Sequence, residues 1–111
     1  MEIIKDYTLD DLDMLIILAI SKKGNSNKKI HKTIIELSKL LNIKIDCIEN
    51  YCEDVSERLN SMSRIPFWIK VNYKYRLTEL GRKTYDKLIE LLKEKQMEDV
   101  LKILNENGNK T

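Results

Sequence analysis

The sequence predicts a mainly α-helical domain with one small β-hairpin, an α+β fold in the order α-α-α-β-β-α with an extended C-terminal helix. Three observations support this prediction. Apolar residues recur every three or four positions in three segments between residues 9 and 62, as on the buried face of a helix. Residues 67–71 instead follow the period of two that is typical of a strand. Thr78 then precedes a further amphipathic segment and is suited to cap its helix.

Length and composition indicate one domain spanning residues 1–111, with a core at 8–92 and a C-terminal helical extension at 93–106. The chain has 111 residues, of which 42% are hydrophobic and 34% charged, enough for one modest core. Its longest apolar run, Met14–Ile20, has seven residues, far below the roughly 18 that span a bilayer. The acidic N-terminus also lacks the basic start of a secretory signal. We therefore expect a soluble, cytoplasmic protein that does not associate with membranes.

The first two helices follow from capping and apolar spacing. Thr8 is suited to cap a helix that begins near Leu9, and this helix is apolar nearly all round, which predicts a central position in the core. The small polar residues of Ser21–Asn27, with Gly24 among them, predict an exposed loop. A second helix is expected at about Lys29–Leu41.

A third helix is expected after a short turn at residues 42–45, of which 43–45 could alternatively form a minor strand. Asp46 is suited to cap this helix, which would run to about Met62. Its inward stripe consists of Ile48, Cys52, Val55 and Leu59. On one helix, Cys47 and Cys52 point about 140° apart and lie beyond disulfide reach. We therefore expect two reduced thiols.

The hairpin is expected to turn at residues 72–74, so that Val71 pairs with Tyr75, with a two-residue turn as the alternative. The next apolar pair, Ile69 with Leu77, then lies on the same face of the ribbon. The other face carries Trp68, Lys70 and Arg76.

The last helix is expected to start after Thr78 and to reach Leu92, where the phase of its apolar stripe breaks. Either one long helix rotates its stripe, or a kink produces a short fifth helix. The apolar residues beyond the break extend past the core and must be buried. They are Met97, Val100, Leu101 and Leu104. We expect the equivalent face of a second copy to cover them in a homodimer, with folding back across the first helix as the alternative.

Charge is arranged in blocks that the net value of +2 conceals. Residues 22–44 hold seven lysines against one acid, a balance of +6, and residues 64–83 hold six basic residues against one acid, a balance of +5. Residues 46–57 hold five acids and no basic residue. The basic blocks favour contacts with phosphate, whereas the acidic block repels it.

Nothing in the sequence favours catalysis. Asp10, Asp11 and Asp13 fall in the first turn of a helix, where acids stabilise the helix dipole. His31, the single histidine, could pair with a cysteine as a catalytic nucleophile would. The cysteines lie in a strongly acidic stretch, however, and nearby acids weaken a thiol as a nucleophile. The three glycines share no phosphate-loop spacing. We expect no catalytic residue, no metal site and no cofactor, and no small-molecule ligand is evident.

The segment Tyr75-Arg76-Leu77-Thr78-Glu79-Leu80-Gly81, followed by an amphipathic helix and preceded by a two-helix segment, resembles the wing and last helix of winged helix-turn-helix proteins. The resemblance covers about residues 8–92. It implies a regulator of transcription that binds double-stranded DNA, of the kind common in archaea, their viruses and bacteria. In such proteins the third helix enters the major groove and the wing lies along the backbone or minor groove.

Carried over residue by residue, the resemblance implies two sets of contacts. Groove contacts fall to Lys44, Asp46, Cys47, Asn50 and Tyr51, with Asn50 suited to an adenine edge. Backbone contacts fall to Lys70, Tyr73, Lys74 and Arg76, and phosphate contacts to Lys28, Lys29 and Lys32.

Two departures from the family pattern support an alternative. Residues 61–66 lack the glycine that commonly precedes the wing, and the third helix is acidic at five positions. The alternative is a winged module that holds a protein partner through its acidic third helix. Trp68 would then be an exposed anchor, or else an ordinary strand residue that covers the last helix.

Overall fold

The computed structural model describes residues 2–4, 7–61 and 67–107 and shows a mixed α+β fold. Within these ranges there are five helices and three small antiparallel sheets. The elements are β1 (Glu2–Ile4), β2 (Tyr7–Thr8), α1 (Asp11–Ile20), β3 (Asn25–Ser26), α2 (Asn27–Leu40), β4 (Cys47–Ile48), β5 (Tyr51–Cys52), α3 (Glu53–Leu59), β6 (Trp68–Val71), β7 (Lys74–Leu77), α4 (Glu79–Glu94) and α5 (Glu98–Glu106). None of the described helices is long and apolar enough to cross a bilayer.

The central position predicted for the first helix is confirmed, because α1 is buried along Leu15–Ile20 and packs against α2, α3 and α4. Its predicted start is wrong. The N-cap is Asp10 rather than Thr8: the Asp10 carboxylate accepts a hydrogen bond from the Asp13 backbone N–H at 2.8 Å. The Asp13 carboxylate accepts one from the Asp10 N–H at 3.3 Å. This reciprocal capping box satisfies two N–H groups that a helix start otherwise leaves unpaired.

A buried ion pair ties α1 to α3. Arg58 Nη1 lies 2.8 Å from a carboxylate oxygen of Asp13, whose side chain is completely buried, and 2.8 Å from one of Asp10. Burial alone would raise the pKa of Asp10, but hydrogen bonds from the Asp13 backbone and from Arg58 outweigh it and lower that pKa. Asp10 and Asp13 therefore have a structural role, which agrees with the interpretation drawn from their position at the start of a helix.

The β6–β7 hairpin has a shorter turn than the sequence predicts. Val71 pairs with Lys74 and Trp68 with Leu77, so the turn has two residues rather than three. Asn72 adopts a φ of 59°, which asparagine tolerates better than most residues. A slip of one position moves every side chain of a strand to the opposite face, so Trp68 is buried (2% exposed) while Ile69 is 45% exposed.

A third strand comes from the segment between α1 and α2. Asn25 pairs with Tyr75 and Ser26 with Lys74, which gives a sheet of order β3-β7-β6. The expectation of an exposed loop here is wrong at Asn25, whose buried amide donates to the Ala19 carbonyl at 3.1 Å. The alternative of a strand at residues 43–45 is not found.

The predicted third helix is wrong in its first half. Cys47 and Cys52 face each other across the β4–β5 hairpin and form a disulfide, with their Cα atoms 4.2 Å apart. The expectation of reduced thiols assumed a helix, which would have turned them apart. Only residues 53–59 are helical, and the predicted end near Met62 lies outside the described residues.

The last helix starts as predicted, with the Thr78 hydroxyl accepting a hydrogen bond from the Gly81 N–H at 3.1 Å. It is not one extended helix. The chain breaks around Gln96, which has a φ of 56°, and continues as the separate helix α5. Of the two alternatives at this position, the kink and short fifth helix is the one observed. Helix α5 folds back onto α2 and α4 of its own chain.

Replacing Arg58 by methionine keeps most of the apolar stem but leaves the buried Asp13 carboxylate without its cation. We expect the free energy of unfolding to fall by about 3 kcal/mol, because breaking a buried ion pair costs roughly 3–5 kcal/mol and Arg58 is partly exposed. Urea denaturation followed by circular dichroism measures this change. Lys22→Ala is the control, since its ion pair with Asp86 is exposed and is worth less than about 1 kcal/mol. Equal losses in the two variants would contradict the structural role of Arg58.

Candidate nucleic-acid interface

The first half of α2 is associated with two β-hairpins. Strand β3 leads directly into α2 and pairs with β7, so the β6–β7 hairpin lies beside the start of the helix. The β4–β5 hairpin contacts the helix at His31, whose Nδ1 accepts a hydrogen bond from the Cys52 backbone N–H at 3.0 Å. The Tyr51 ring stacks on the His31 ring, with centroids 5.2 Å apart. Both hairpins are therefore positioned by α2.

Basic side chains from two distant parts of the sequence meet at this place. Ser26 lies opposite Lys74 in the sheet, and Lys28 and Lys29 follow Ser26 within one helical turn. Strand partners lie about 5 Å apart, so the predicted phosphate contacts of α2 and of the hairpin become neighbours. We call the exposed residues Lys28, Lys29, Lys32, Lys70, Lys74 and Arg76 the basic flank.

The two faces of the β6–β7 hairpin carry different members of this set. Lys74 and Arg76 share the outer face with Ile69 and Val71, and all four are exposed. Lys70 points to the other face, where its Nζ lies 5.8 Å from the centroid of the Tyr75 ring. Tyr73, another predicted backbone contact, is 90% exposed in the turn itself. The hairpin can therefore present cations from both faces and an aromatic ring from its tip.

The residues predicted to contact bases are distributed differently. Asn50 and Tyr51 belong to the β4–β5 hairpin rather than to a helix, and both are exposed. Lys44 follows the C-terminal end of α2, where the Ile43 N–H donates to the Ser38 carbonyl at 2.9 Å. That end is about 20 Å from the first turn of a 14-residue helix. The structure thus brings Tyr51 close to α2 near the basic flank and keeps Lys44 away from it.

A separate, acidic surface is formed by the β4–β5 hairpin and α3. Its exposed carboxylates are Asp46, Glu49, Glu53, Asp54 and Glu57. Two apolar side chains are exposed among them, Ile48 at 80% and Tyr51 at 51%. We call this set the acidic hairpin surface. Phosphate is repelled by this surface and attracted by the basic flank.

His31 is a positioning residue that sequence reasoning did not identify. It is 1% exposed, and burial lowers its pKa, because removal from water disfavours the charged ring. Its Nδ1 accepts the hydrogen bond from Cys52, which requires the neutral form, and its Nε2 has no hydrogen-bond partner among the described residues. Although His31 and Cys52 are neighbours, the sulfur is held in the disulfide and is not a thiolate nucleophile.

The predicted dimer face is largely used within the chain itself. Val100 and Leu104 are 1% and 2% exposed because α5 packs on α2 and α4. Met97 and Leu101 are half-buried, and Met97 lines an apolar groove of about 340 Å³ between α1 and α4. The expectation that a second copy must cover Val100 and Leu104 is therefore wrong, and the homodimer remains a prediction without those two contacts.

Comparison of the chain with protein-family models, with curated proteins and with solved structures finds no significant match. In the part of the chain that the structure describes, no three histidine, cysteine, aspartate or glutamate side chains gather in a metal-binding arrangement. The basic flank and the acidic hairpin surface are therefore the features of the molecule that indicate a function.

The buried, neutral His31 predicts a loss of stability in mild acid. Because its pKa in the folded protein is below the ordinary value of 6.5, the unfolded chain binds a proton first as the pH falls. The contribution of His31 is complete above pH 6.5 and is lost as the pH falls from there toward the lowered pKa. We expect the free energy of unfolding to decline as the pH falls below about 6.5.

The matched variant is His31→Gln, which keeps an acceptor for the Cys52 N–H and does not titrate. Urea denaturation of both proteins at several pH values should give a flatter curve for the variant over this interval. Parallel curves would show that His31 is not the group responsible.

Proposed function

We propose that this chain is a DNA-binding protein, a regulator of transcription with winged helix-turn-helix architecture, whose basic flank contacts the phosphates of double-stranded DNA. The observation that carries the proposal is the pairing of Ser26 with Lys74. It brings Lys28 and Lys29 of one basic block beside Lys74 and Arg76 of the other, as contact with a polyanion requires. The positive charge of the basic flank therefore favours binding to DNA even though the net charge of the chain is only +2.

The start of α2 adds to the attraction for phosphate. Ser26 caps the helix by accepting a hydrogen bond from the Lys29 N–H at 3.3 Å. The first turn contains Lys28 and Lys29 and no acid, so the positive end of the helix dipole is reinforced rather than neutralised. The β6–β7 hairpin beside it then serves as the wing, with Lys74 and Arg76 on its outer face.

The same geometry limits what α3 can contribute. It has seven residues, about 10 Å of helix, and its exposed side chains are mainly acidic. Sequence-specific reading of the major groove by α3 in this form is therefore weak. In this proposal the affinity comes from backbone contacts made by α2 and the wing, while the acidic hairpin surface repels the phosphates of the duplex.

A second candidate function is supported by the exposure of Ile48 and Tyr51. An isoleucine that is 80% exposed beside a tyrosine and five carboxylates suits a protein partner with a basic rim and an apolar centre. The anchor in this alternative is not Trp68, which is buried and donates its Nε1–H to the Leu59 carbonyl at 3.0 Å.

Salt dependence tests the first candidate directly. With six phosphate contacts, the affinity for mixed-sequence duplex DNA should fall about 10³-fold between roughly 50 and 200 mM salt. Changing Lys70, Lys74 and Arg76 together to glutamine should weaken binding to all sequences alike. It should also lower the slope of log K against log salt by about 2.7, or 0.9 per lost contact. Fluorescence anisotropy with a labelled duplex measures both quantities.

The control removes the same charge elsewhere. Lys87, Lys93 and Lys102 are exposed on α4 and α5, outside the basic flank, and their joint replacement by glutamine should leave the slope nearly unchanged. Equal effects of the two triple variants would refute the basic flank as the contact surface. An absent or salt-independent affinity of the wild type would exclude the DNA proposal and favour the protein partner.

A further inference from the structure

The segment from Asp46 to Cys52 has the sequence of a helix start but the structure of a hairpin. Asp46 and Glu49 have the spacing of a capping box, and Ile48 lies one helical turn before Cys52 on the apolar stripe. The structure uses none of these features. Ile48 is 80% exposed, and Glu49 has a φ of 56°, a left-handed conformation that is unfavourable for a side chain of this type.

The observed start of α3 is also weakly defined. Its N-cap residue is Cys52, and no side chain caps the helix there. An extended helix would begin at Asp46 and gain both the cap and the burial of Ile48. The local preferences of the chain therefore oppose the hairpin in three respects: the cap, the turn and the apolar stripe.

The disulfide explains why the hairpin nevertheless forms. In an α-helix, Cα atoms five residues apart are separated by about 8.6 Å, beyond the roughly 6.8 Å that a disulfide spans. In the hairpin the Cα atoms of Cys47 and Cys52 are 4.2 Å apart. The covalent bond and the helix are therefore mutually exclusive.

The surroundings leave room for the other conformation. A cleft of about 460 Å³ lies between the end of α2 and this segment, lined by Ile35, Ser38, Lys39, Ile43, Ile45 and Cys47, among others. Cys52 already lies on the buried stripe with Val55 and Leu59. An extension of α3 toward Asp46 would thus leave these core contacts in place and exchange the Cys52–His31 hydrogen bond for a helical one.

We infer that the Cys47–Cys52 bridge is a redox switch that selects between a β-hairpin and an N-terminal extension of α3. Two thiol groups of a reductant supply two electrons and two protons. The S–S bond of the protein breaks to give two cysteine thiols, and the reductant becomes a disulfide. The released segment then joins α3 from Asp46 onward. Oxidation by a disulfide of the same class reverses the exchange.

The switch would regulate the proposed DNA site, and this part of the inference depends on the proposed function. The extended helix would have roughly 13 residues and a length of about 20 Å, and it would carry Asn50 on its solvent face. Asn50 could then contact an adenine edge, which the seven-residue α3 cannot offer. The carboxylates of this segment repel the phosphates of every sequence alike, so reduction is expected to raise the discrimination between a preferred sequence and mixed-sequence DNA about tenfold, the effect of one good base contact.

Nuclear magnetic resonance tests the structural part on the full chain. Backbone Cα chemical shifts of residues 46–52 report helix or strand directly, before and after addition of dithiothreitol. We expect strand-like shifts in the oxidised protein and helical shifts in the reduced one. Strand-like or random-coil shifts after reduction would overturn it.

Two variants make the result specific. Cys47→Ser removes the bridge but leaves the buried Cys52 in place, and it should show helical shifts without any reductant. Glu49→Gly removes the cost of the left-handed turn and weakens the helix, so it should retain strand-like shifts even when reduced. Helical shifts in reduced Glu49→Gly, or strand-like shifts in Cys47→Ser, would contradict the competition described here.

DNA binding is measured separately on the oxidised and reduced protein, with Asn50→Ala as the control that should lose the tenfold gain. If the helix forms but neither state binds DNA, the switch stands and the proposed function fails. If both states bind DNA with equal discrimination between the preferred and the mixed sequence, the proposed function stands and the regulatory part is overturned.

Discussion

The backbone pairing of Ser26 with Lys74 is the constraint on which the functional surface depends. It attaches the segment between α1 and α2 to the β6–β7 hairpin and so places the first turn of α2 beside the hairpin's outer face. The same pairing sets the side-chain alternation of β7, in which Tyr75 and Leu77 are buried and Lys74 and Arg76 are exposed. Two groups of cations that lie some 45 residues apart in sequence become one surface for this reason alone.

Helix α2 contacts two surfaces of opposite charge. Its first turn extends the basic flank, while the buried His31 holds the acidic hairpin surface through Cys52 and Tyr51. The acids that stabilise the fold are different ones, because Asp13 is neutralised by Arg58 in the interior. The exposed acids of β4–β5 and α3 are therefore available to act on a partner, by repelling phosphate or by attracting a basic protein.

The β4–β5 hairpin illustrates how a covalent bond can oppose local preference. Glu49 is in a left-handed conformation, Ile48 is exposed and α3 lacks a side-chain cap, although the sequence contains the residues that would correct all three in a helix. Natural sequences are usually consistent between local and tertiary levels, and exceptions tend to occur at functional sites. The disagreement lies beside the proposed DNA surface, where a change of conformation would alter what the site presents.

The sequence by itself determined the α+β class, the central position of α1 and the start of α4 at Thr78. These features depend on periodicity and capping between residues three or four positions apart, which are visible in one chain. The tertiary structure alone decided the two-residue turn at Asn72, the β3–β7 pairing, the disulfide and the return of α5 onto α2. Each of these depends on contacts between distant segments, or on a shift of one residue that reverses both faces of a strand. The helical spacing of Ile48 and Cys52 predicted a helix in this segment. The prediction failed because apolar spacing carries no information about a bond between two sulfur atoms.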